Sequence, residues 1–317
     1  MKEQYSGLLA CVLFAASSSL FSAAQEQALA PPTASVSDPA WLQHLSAWRA
    51  QRERELSAPD GWLTLVGLEW LQPGLNSIGA APDNKIHLGD PAPDRLGLLS
   101  LSGQTIQLLA PAGGFPSELK LDGQPAREGT LVVDNLKPST IVWRGFTLIV
   151  LRRGEGYVLR IKDAESSTRS GFHGLNWYEP NPDDFVAARW IPFTSPHIEK
   201  ISTVLGTTLE LPAPGIAEFT LDGKTLRLEP VLEDPSGKTL FFMLRDETSK
   251  TTTYGGGRFL HTGLPSHGLA QPGLLMLDFN RLENPPCAYT PYATCPLPPD
   301  QNRLPVVIEA GEKRYAP

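Results

Sequence analysis

Apolar positions change their period twice along the chain, and those changes divide it. An unbroken run of apolar and small residues extends from Leu8 to Phe21. Farther on, Trp41, Leu45, Trp48 and Arg52 recur at three- and four-residue spacing, which lines one face of a helix. Ser37 or Asp38 can cap that helix, Pro39 takes the tolerated first position, and Ala58-Pro59-Asp60-Gly61 ends it. The charged run Arg49–Glu55 reads as its solvated face. From Trp62 the period falls to two: Leu63, Leu65 and Gly67 alternate with Thr64, Val66 and Leu68. Short apolar runs then recur roughly every eight to twelve residues, the spacing of a sandwich or barrel. Between them stand Ser102-Gly103, Asp122-Gly123, Arg144-Gly145 and Gly154-Glu155-Gly156, and Asp-Gly pairs suit type I′ hairpins.

The clearest strands are Ile141–Trp143, Phe146–Leu151 and Tyr157–Ile161. Residues 164–184, rich in Ser, Asn, Pro and Asp, break the rhythm and read as a connector. The β pattern resumes at Phe185–Phe193, Ile198–Leu205, Ala217–Leu221, Thr225–Val231 and Leu240–Leu244, with Asp222-Gly223 as another hairpin turn. A last pair, Leu274–Phe279 and Val306–Glu309, closes the chain. The pattern therefore predicts a mainly β protein. A leader and short helix over 25–60 precede a β-sandwich over 61–163, and a second sandwich or barrel follows over 185–317. Thirty prolines and 28 glycines among 317 residues agree with many short strands joined by turns.

Composition and the first residues change the picture in three ways. Lys2, the Leu8–Phe21 run and Ser22-Ala23-Ala24 follow the grammar of a secretory signal peptide, with cleavage expected after Ala24. The run is shorter than the ~20 residues of a membrane span, so a periplasmic or secreted location without a span is expected. Leu8-Leu9-Ala10-Cys11 imitates a lipobox, but most of the apolar segment follows Cys11 instead of preceding it. A net charge of −7 argues against a nucleic-acid partner, which needs a concentrated basic face. Beyond the leader only Cys287 and Cys295 remain of three cysteines, and an even pair in an exported chain first suggests a disulfide. Inert paired thiols and a metal or reactive-thiol site remain alternatives.

The familiar chemical signatures fail. Gly223-Lys224-Thr225 and Gly237-Lys238-Thr239 resemble the tail of a P-loop, but Glu218 and Leu232 stand where its first glycine belongs. There is no G-x-S-x-G elbow, no H-E-x-x-H and no C-x-x-C, and the six histidines are scattered. No cofactor and no metal site are expected.

Gly74, Ile78-Gly79 and Asn84-Lys85-Ile86-His87-Leu88 resemble the opening of a forkhead-associated β-sandwich. The arginine that such domains use for phosphopeptides is Ala80 here, and no Ser-x-x-His follows, so the resemblance implies the fold without phosphothreonine binding. The segment that stands out runs from Leu274 to Lys313. Leu274 and Met276 share a strand face with Asp278 and Asn280, as when a strand leaves a core for a cleft. Glu283 to Pro305 then carries seven prolines, two tyrosines and both cysteines, and loops of that length are commonly functional. A rigid strap over a sheet edge is the simplest structural reading.

Tyr254-Gly255-Gly256-Gly257-Arg258-Phe259-Leu260, Leu277-Asp278-Phe279-Asn280-Arg281, Asn284-Pro285-Pro286-Cys287-Ala288-Tyr289 and Cys295-Pro296-Leu297-Pro298-Pro299 resemble the domain-of-unknown-function 1684 family of bacteria and archaea. Asn302-Arg303-Leu304, Glu309-Ala310-Gly311-Glu312-Lys313 and the early Gly61-Trp62-Leu63 extend the likeness. The resemblance implies no activity. Arg258, Asn280, Arg281, Asn284, Tyr289 and Asn302 form the candidate ligand-binding set, for a small anionic ligand, with Arg258 and Arg281 expected beside Asp278. Two functions fit: an exported ligand-binding or structural β module, or a hydrolase-type enzyme with Asp278 as base and an arginine holding an anion.

Overall fold

The structure, a computed structural model, describes residues 39–316 apart from 135, 136 and 235. The expected signal peptide, its cleavage site, Cys11 and the helix-capping Ser37 and Asp38 lie outside the described residues. Among the described residues no helix is long and apolar enough to cross a membrane.

One helix, α1 (Pro39–Leu56), opens the described chain and stops short of Gly61. Eleven strands follow: β1 (Leu65–Trp70), β2 (Gly74–Gly79), β3 (Ile86–His87), β4 (Gly97–Ser102), β5 (Thr105–Leu109), β6 (Lys120–Leu121), β7 (Gln124–Pro125), β8 (Gly129–Thr130), β9 (Thr140–Trp143), β10 (Phe146–Arg153) and β11 (Gly156–Asp163). They form two sheets, one ordered β1-β11-β10-β9-β6-β7 and the other β3-β2-β4-β5-β8. Alternation along the strands turns Ile78, Leu99, Ile106 and Leu108 of one sheet toward Ile141, Leu148, Leu159 and Ile161 of the other, closing one dry sandwich core.

Residues 164–184 hold only a single helical turn, α2 (Ser167–Ser170), and a 3₁₀ turn at Pro182–Asp184. Beyond them come β12 (Phe185–Ser202), β13 (Thr208–Leu221), β14 (Lys224–Leu228), β15 (Leu240–Leu244), β16 (Arg258–Thr262) and β17 (Gly273–Asp278). Four strands make a sheet ordered β14-β13-β12-β17, and β15 pairs with β16. β15 is buried at every position, which fits its continuous apolar Leu-Phe-Phe-Met-Leu run. Asp222 and Gly223 both adopt positive φ, 51° and 70°, in the β13–β14 hairpin, as the Asp-Gly pair demands.

Three expectations change. Phe185–Phe193 and Ile198–Leu205 are not two strands: β12 runs through both, with a register shift between Pro192 and His197 where it pairs with β13. Val306–Glu309 is not a strand either. Val306, Ile308 and Ala310 pack into the second core as a strand's residues would, but side chains satisfy the backbone at Ile308 and Ala310. Asp246 accepts from the Ile308 amide at 2.8 Å and Arg258 donates to the Ile308 carbonyl at 2.9 Å. Finally, the charged stretch of α1 is partly a docking surface. Arg49 donates to the Tyr178 carbonyl and lies 4.8 Å from the Trp177 ring centroid, while Glu53 accepts from the Leu175 amide and the Trp177 indole. Charge identity does not reveal which long side chains cross to a neighbouring segment with unpaired backbone groups to satisfy.

Candidate functional site

β17 delivers Asp278 to the rim of the second sheet, opposite Phe185 of β12. The chain turns there through a 3₁₀ helix, Phe279–Arg281, which Asp278 caps by accepting from the Asn280 amide at 3.2 Å and its side-chain Nδ2 at 3.1 Å. The same turn brings Arg281 Nε to 3.3 Å from Asp278 Oδ2. The Arg281 guanidinium also lies 5.7 Å from the Trp48 ring centroid on α1, within cation–π range. α1 contributes Trp41 and His44, three residues apart and so on one side of the helix, and β16 adds His261. With Phe185, Thr262, Gly263 and Met276 these groups line a cleft of about 280 Å³.

Burial pushes the Asp278 carboxyl above the ordinary carboxylate range, although the Asn280 hydrogen bond and the Arg281 charge work against that. His261 stacks on Phe241 at 4.7 Å, nearly parallel, and stands 3.7 Å from carboxylates of both Glu233 and Glu283. The cleft thus holds a carboxyl raised above its ordinary range by burial, a guanidinium half open to solvent and an imidazole. That set can bind a small anion or exchange a proton.

The other residues singled out by sequence are consumed by the fold, and all but Asn280, which bonds Asp278, lie elsewhere. Among the described residues Arg281 pairs with Asp278, whereas Arg258, 1% exposed, has its ion pair with Asp246. It pairs with Asp246 at 3.3 Å and donates to the Ile308 and Ala310 carbonyls. Its two terminal guanidinium nitrogens serve an irregular segment that no ladder reaches, so they are spent on backbone carbonyls and Asp246 and not on Asp278. Gly257 beside it has φ +97°, and a Cβ there would lie 2.6 Å from the Leu244 carbonyl, so the glycine run permits close packing of chain on chain. Asn280 exchanges two hydrogen bonds with the backbone of Asn181, at 2.9 and 2.8 Å, and fastens the connector to the end of β17. Asn302 does the same for Glu229 and adds a bond to the Met243 carbonyl.

Asn284 and Tyr289 belong to a second buried cluster around Glu312, which is 0% exposed. Glu312 accepts from the Asn284 amide at 2.6 Å and from the Tyr289 hydroxyl, and faces Arg52 of α1 at 3.5 Å. Arg52 also meets Glu283 at 3.2 Å and donates to the Asn284 carbonyl at 2.7 Å. Burial raises the Glu312 carboxyl, opposed by Arg52. Burial works against the Arg52 charge too, but Glu283 and Glu312 outweigh it and hold the guanidinium charged.

The disulfide expected between Cys287 and Cys295 is absent, and both are free thiols. The Pro286–Ala288 turn aims the Cys287 amide at Cys295 Sγ, 3.1 Å away, so that sulfur serves as a hydrogen-bond acceptor. Cys295 is 2% exposed in an apolar cluster with Phe241, Met243 and Phe259. A hydrogen bond from the Cys295 thiol, helped by the Tyr254 hydroxyl, lowers Cys287 to about 7 against the cost of burial. The same contact pushes Cys295 up.

One group of functional type had no signature in the sequence. His197 and Glu199 on β12 and Glu229 just beyond β14 converge so that one ligand atom from each lies within 4.8 Å of the others. Two-residue spacing in a strand puts His197 and Glu199 on one face, and that much could have been read. Glu229 joins them only through the β12–β13–β14 register.

Residues 170–313, which include all the groups described above from β17 onward, match the family model described as protein of unknown function (DUF1684). The chain belongs to that family. An uncharacterised protein of Haloarcula marismortui, solved by solution NMR, is 31% identical over 46% of this chain and 78% of its own, with a TM-score of 0.40. The FhaA FHA domain complexed with the intracellular domain of Rv3910 is 19% identical over 30% of this chain and 97% of its own, with a TM-score of 0.20. No curated protein matches. The DUF1684 match contains Asp278, Arg281 and His261 of the cleft, whereas Trp41 and His44 come from α1, before the matched region.

Proposed function

We propose that this DUF1684 protein is an exported β module that binds a small carboxylate-bearing ligand in the cleft beneath α1. The observation that carries the reading is the position of Arg281. It alone of the candidate arginines lines a cleft, half exposed and oriented by Asp278 and Trp48. The cleft's ~280 Å³ lies just under the ~300–1,000 Å³ of drug-sized ligand pockets, so the ligand should be small. Trp41, Phe185 and Met276 offer apolar surface for its body. Titrating the purified protein with acetate, succinate and glutamate, followed by ¹H–¹⁵N NMR, tests the reading. At least one should shift resonances of Arg281, His261 and the Trp41 indole saturably, and Arg281→Gln should weaken that binding at least tenfold. Saturable binding unaffected by Arg281→Gln, or no binding by any of the three, rejects the cleft.

The raised Asp278 carboxyl favours a second reading, a hydrolase-type enzyme with Asp278 as its base. Asp278→Asn separates the two, since a binding module keeps its affinity within a few-fold while an acid–base enzyme loses turnover.

Export rests on the Leu8–Phe21 run and Ser22-Ala23-Ala24. Mass spectrometry of protein drawn from the periplasm should find a chain beginning at Gln25. A cytoplasmic protein retaining Met1 is the contrary result.

A further inference from the structure

The convergence of His197, Glu199 and Glu229 lies on different residues from the cleft, and its supports are specific. His197 Nε2 stands 2.8 Å from Glu229 Oε1 and 3.3 Å from Glu199 Oε2. Donor atoms around a tetrahedral ion at ~2.0–2.2 Å are themselves separated by roughly 3.3–3.6 Å. Small side-chain adjustments would therefore let one ion replace the contacts among the three. Both carboxylates are largely withdrawn from solvent, at 19% and 13% side-chain exposure, while the imidazole is 46% exposed. Two carboxylates facing each other in partial burial repel unless a cation lies between them, and the imidazole is cationic only when protonated.

The surroundings fix the three ligands from outside. The register shift between Pro192 and His197 falls directly before the first ligand, and bulges re-aim side chains in this way. Phe193 packs on the His197 ring at 4.8 Å between centroids. Gln301 donates to Glu199 Oε1 at 3.1 Å, leaving Oε2 toward the centre. Asn302, 0% exposed, accepts from the Glu229 amide at 2.8 Å and donates to its carbonyl at 2.9 Å. Neighbouring strap residues thus hold the Glu199 carboxylate and the backbone from which Glu229 projects. Outer contacts that orient first ligands are characteristic of built metal sites.

We propose that His197, Glu199 and Glu229 bind one Zn²⁺ ion, with the remaining coordination position open to water or to a ligand. One imidazole and two carboxylates suit a borderline cation of this kind, and three protein ligands with a free fourth position describe an accessible site rather than a closed structural one.

The test titrates the full mature protein, stripped with chelator, with Zn²⁺ in an isothermal calorimeter. One equivalent should bind. His197→Ala and Glu229→Gln should each weaken binding at least tenfold, and the Cys287→Ser/Cys295→Ser variant should retain it. X-ray absorption of the Zn²⁺-loaded wild type should find nitrogen and oxygen neighbours only. That measurement needs no variant, so it stands if a substitution impairs folding, and Glu199→Gln serves as a third, conservative variant. Zinc should also raise the thermal midpoint of the wild type and leave that of His197→Ala unchanged. Absence of saturable binding overturns the proposal, as do sulfur neighbours or binding that survives His197→Ala but disappears with the cysteines.

Discussion

Replacing Arg258 with methionine is expected to destabilise the protein by about 3–5 kcal/mol, the cost of leaving one member of a buried ion pair alone. Asp246 and Arg258 have 1% of their side-chain surface exposed, so neither can recruit bulk water when its partner goes. The loss extends beyond the pair, because Arg258 also satisfies the carbonyls of Ile308 and Ala310 in a segment without a strand partner. Equilibrium urea unfolding measures the change. Adding Asp246→Asn should recover part of it, since asparagine can still accept from the Ile308 amide without carrying a charge. A single-variant loss below about 1 kcal/mol would show that the pair contributes little, as exposed pairs do.

Arg52→Ala should cost a similar amount, about 3–5 kcal/mol, and its effect should be concentrated in α1. Removing the guanidinium leaves Glu312 buried against the Tyr289 hydroxyl and the Asn284 amide with no cation, and strips the Asn284 carbonyl of its donor. The helix would keep Leu45 and Leu56 as buried anchors and the Trp48–Trp177 edge contact at 5.6 Å. With the bonds of Arg49 and Glu53 to residues 175–178, these hold the helix only partly once the buried charged contact is gone. Hydrogen exchange should therefore accelerate across Leu45–Leu56 well before it does in β15. Uniform acceleration throughout the chain would mean that the cluster stabilises the whole fold and not the helix dock.

Local rules carried the sequence reading where structure is local. Asp122-Gly123 and Asp222-Gly223 turn where hairpin chemistry requires, and Leu240–Leu244 is a strand because five consecutive apolar residues fit burial on both faces. The reading fell short where the deciding partner is distant. Val306 and Ile308 alternate as in a strand, yet Arg258 and Asp246 serve the Ile308 backbone and the Glu247 amide serves the Val306 carbonyl, which no period reveals. Asp278 and Arg281 lie within one helical turn, so their pairing was legible. Arg258 was equally conspicuous, but its carboxylate partner, Asp246, sits beyond a tight glycine turn on the neighbouring strand's end. Glu229 carried no signal at all, because only the three-strand register brings it to His197.

The Arg52–Glu312 contact joins residues 260 positions apart, and the Arg52–Asn284 bond joins residues 232 apart. A ribosome or a secretion channel delivers a chain from its amino end, so α1 emerges long before the strap that buries Arg52. Closing so long a loop costs conformational entropy that is recovered only when the distant contact forms. The dock for the first helix is thus among the last pieces to arrive. Through most of its synthesis Arg52 remains an ordinary solvated cation, and it becomes a buried one only when the strap around Glu283 to Glu312 is in place.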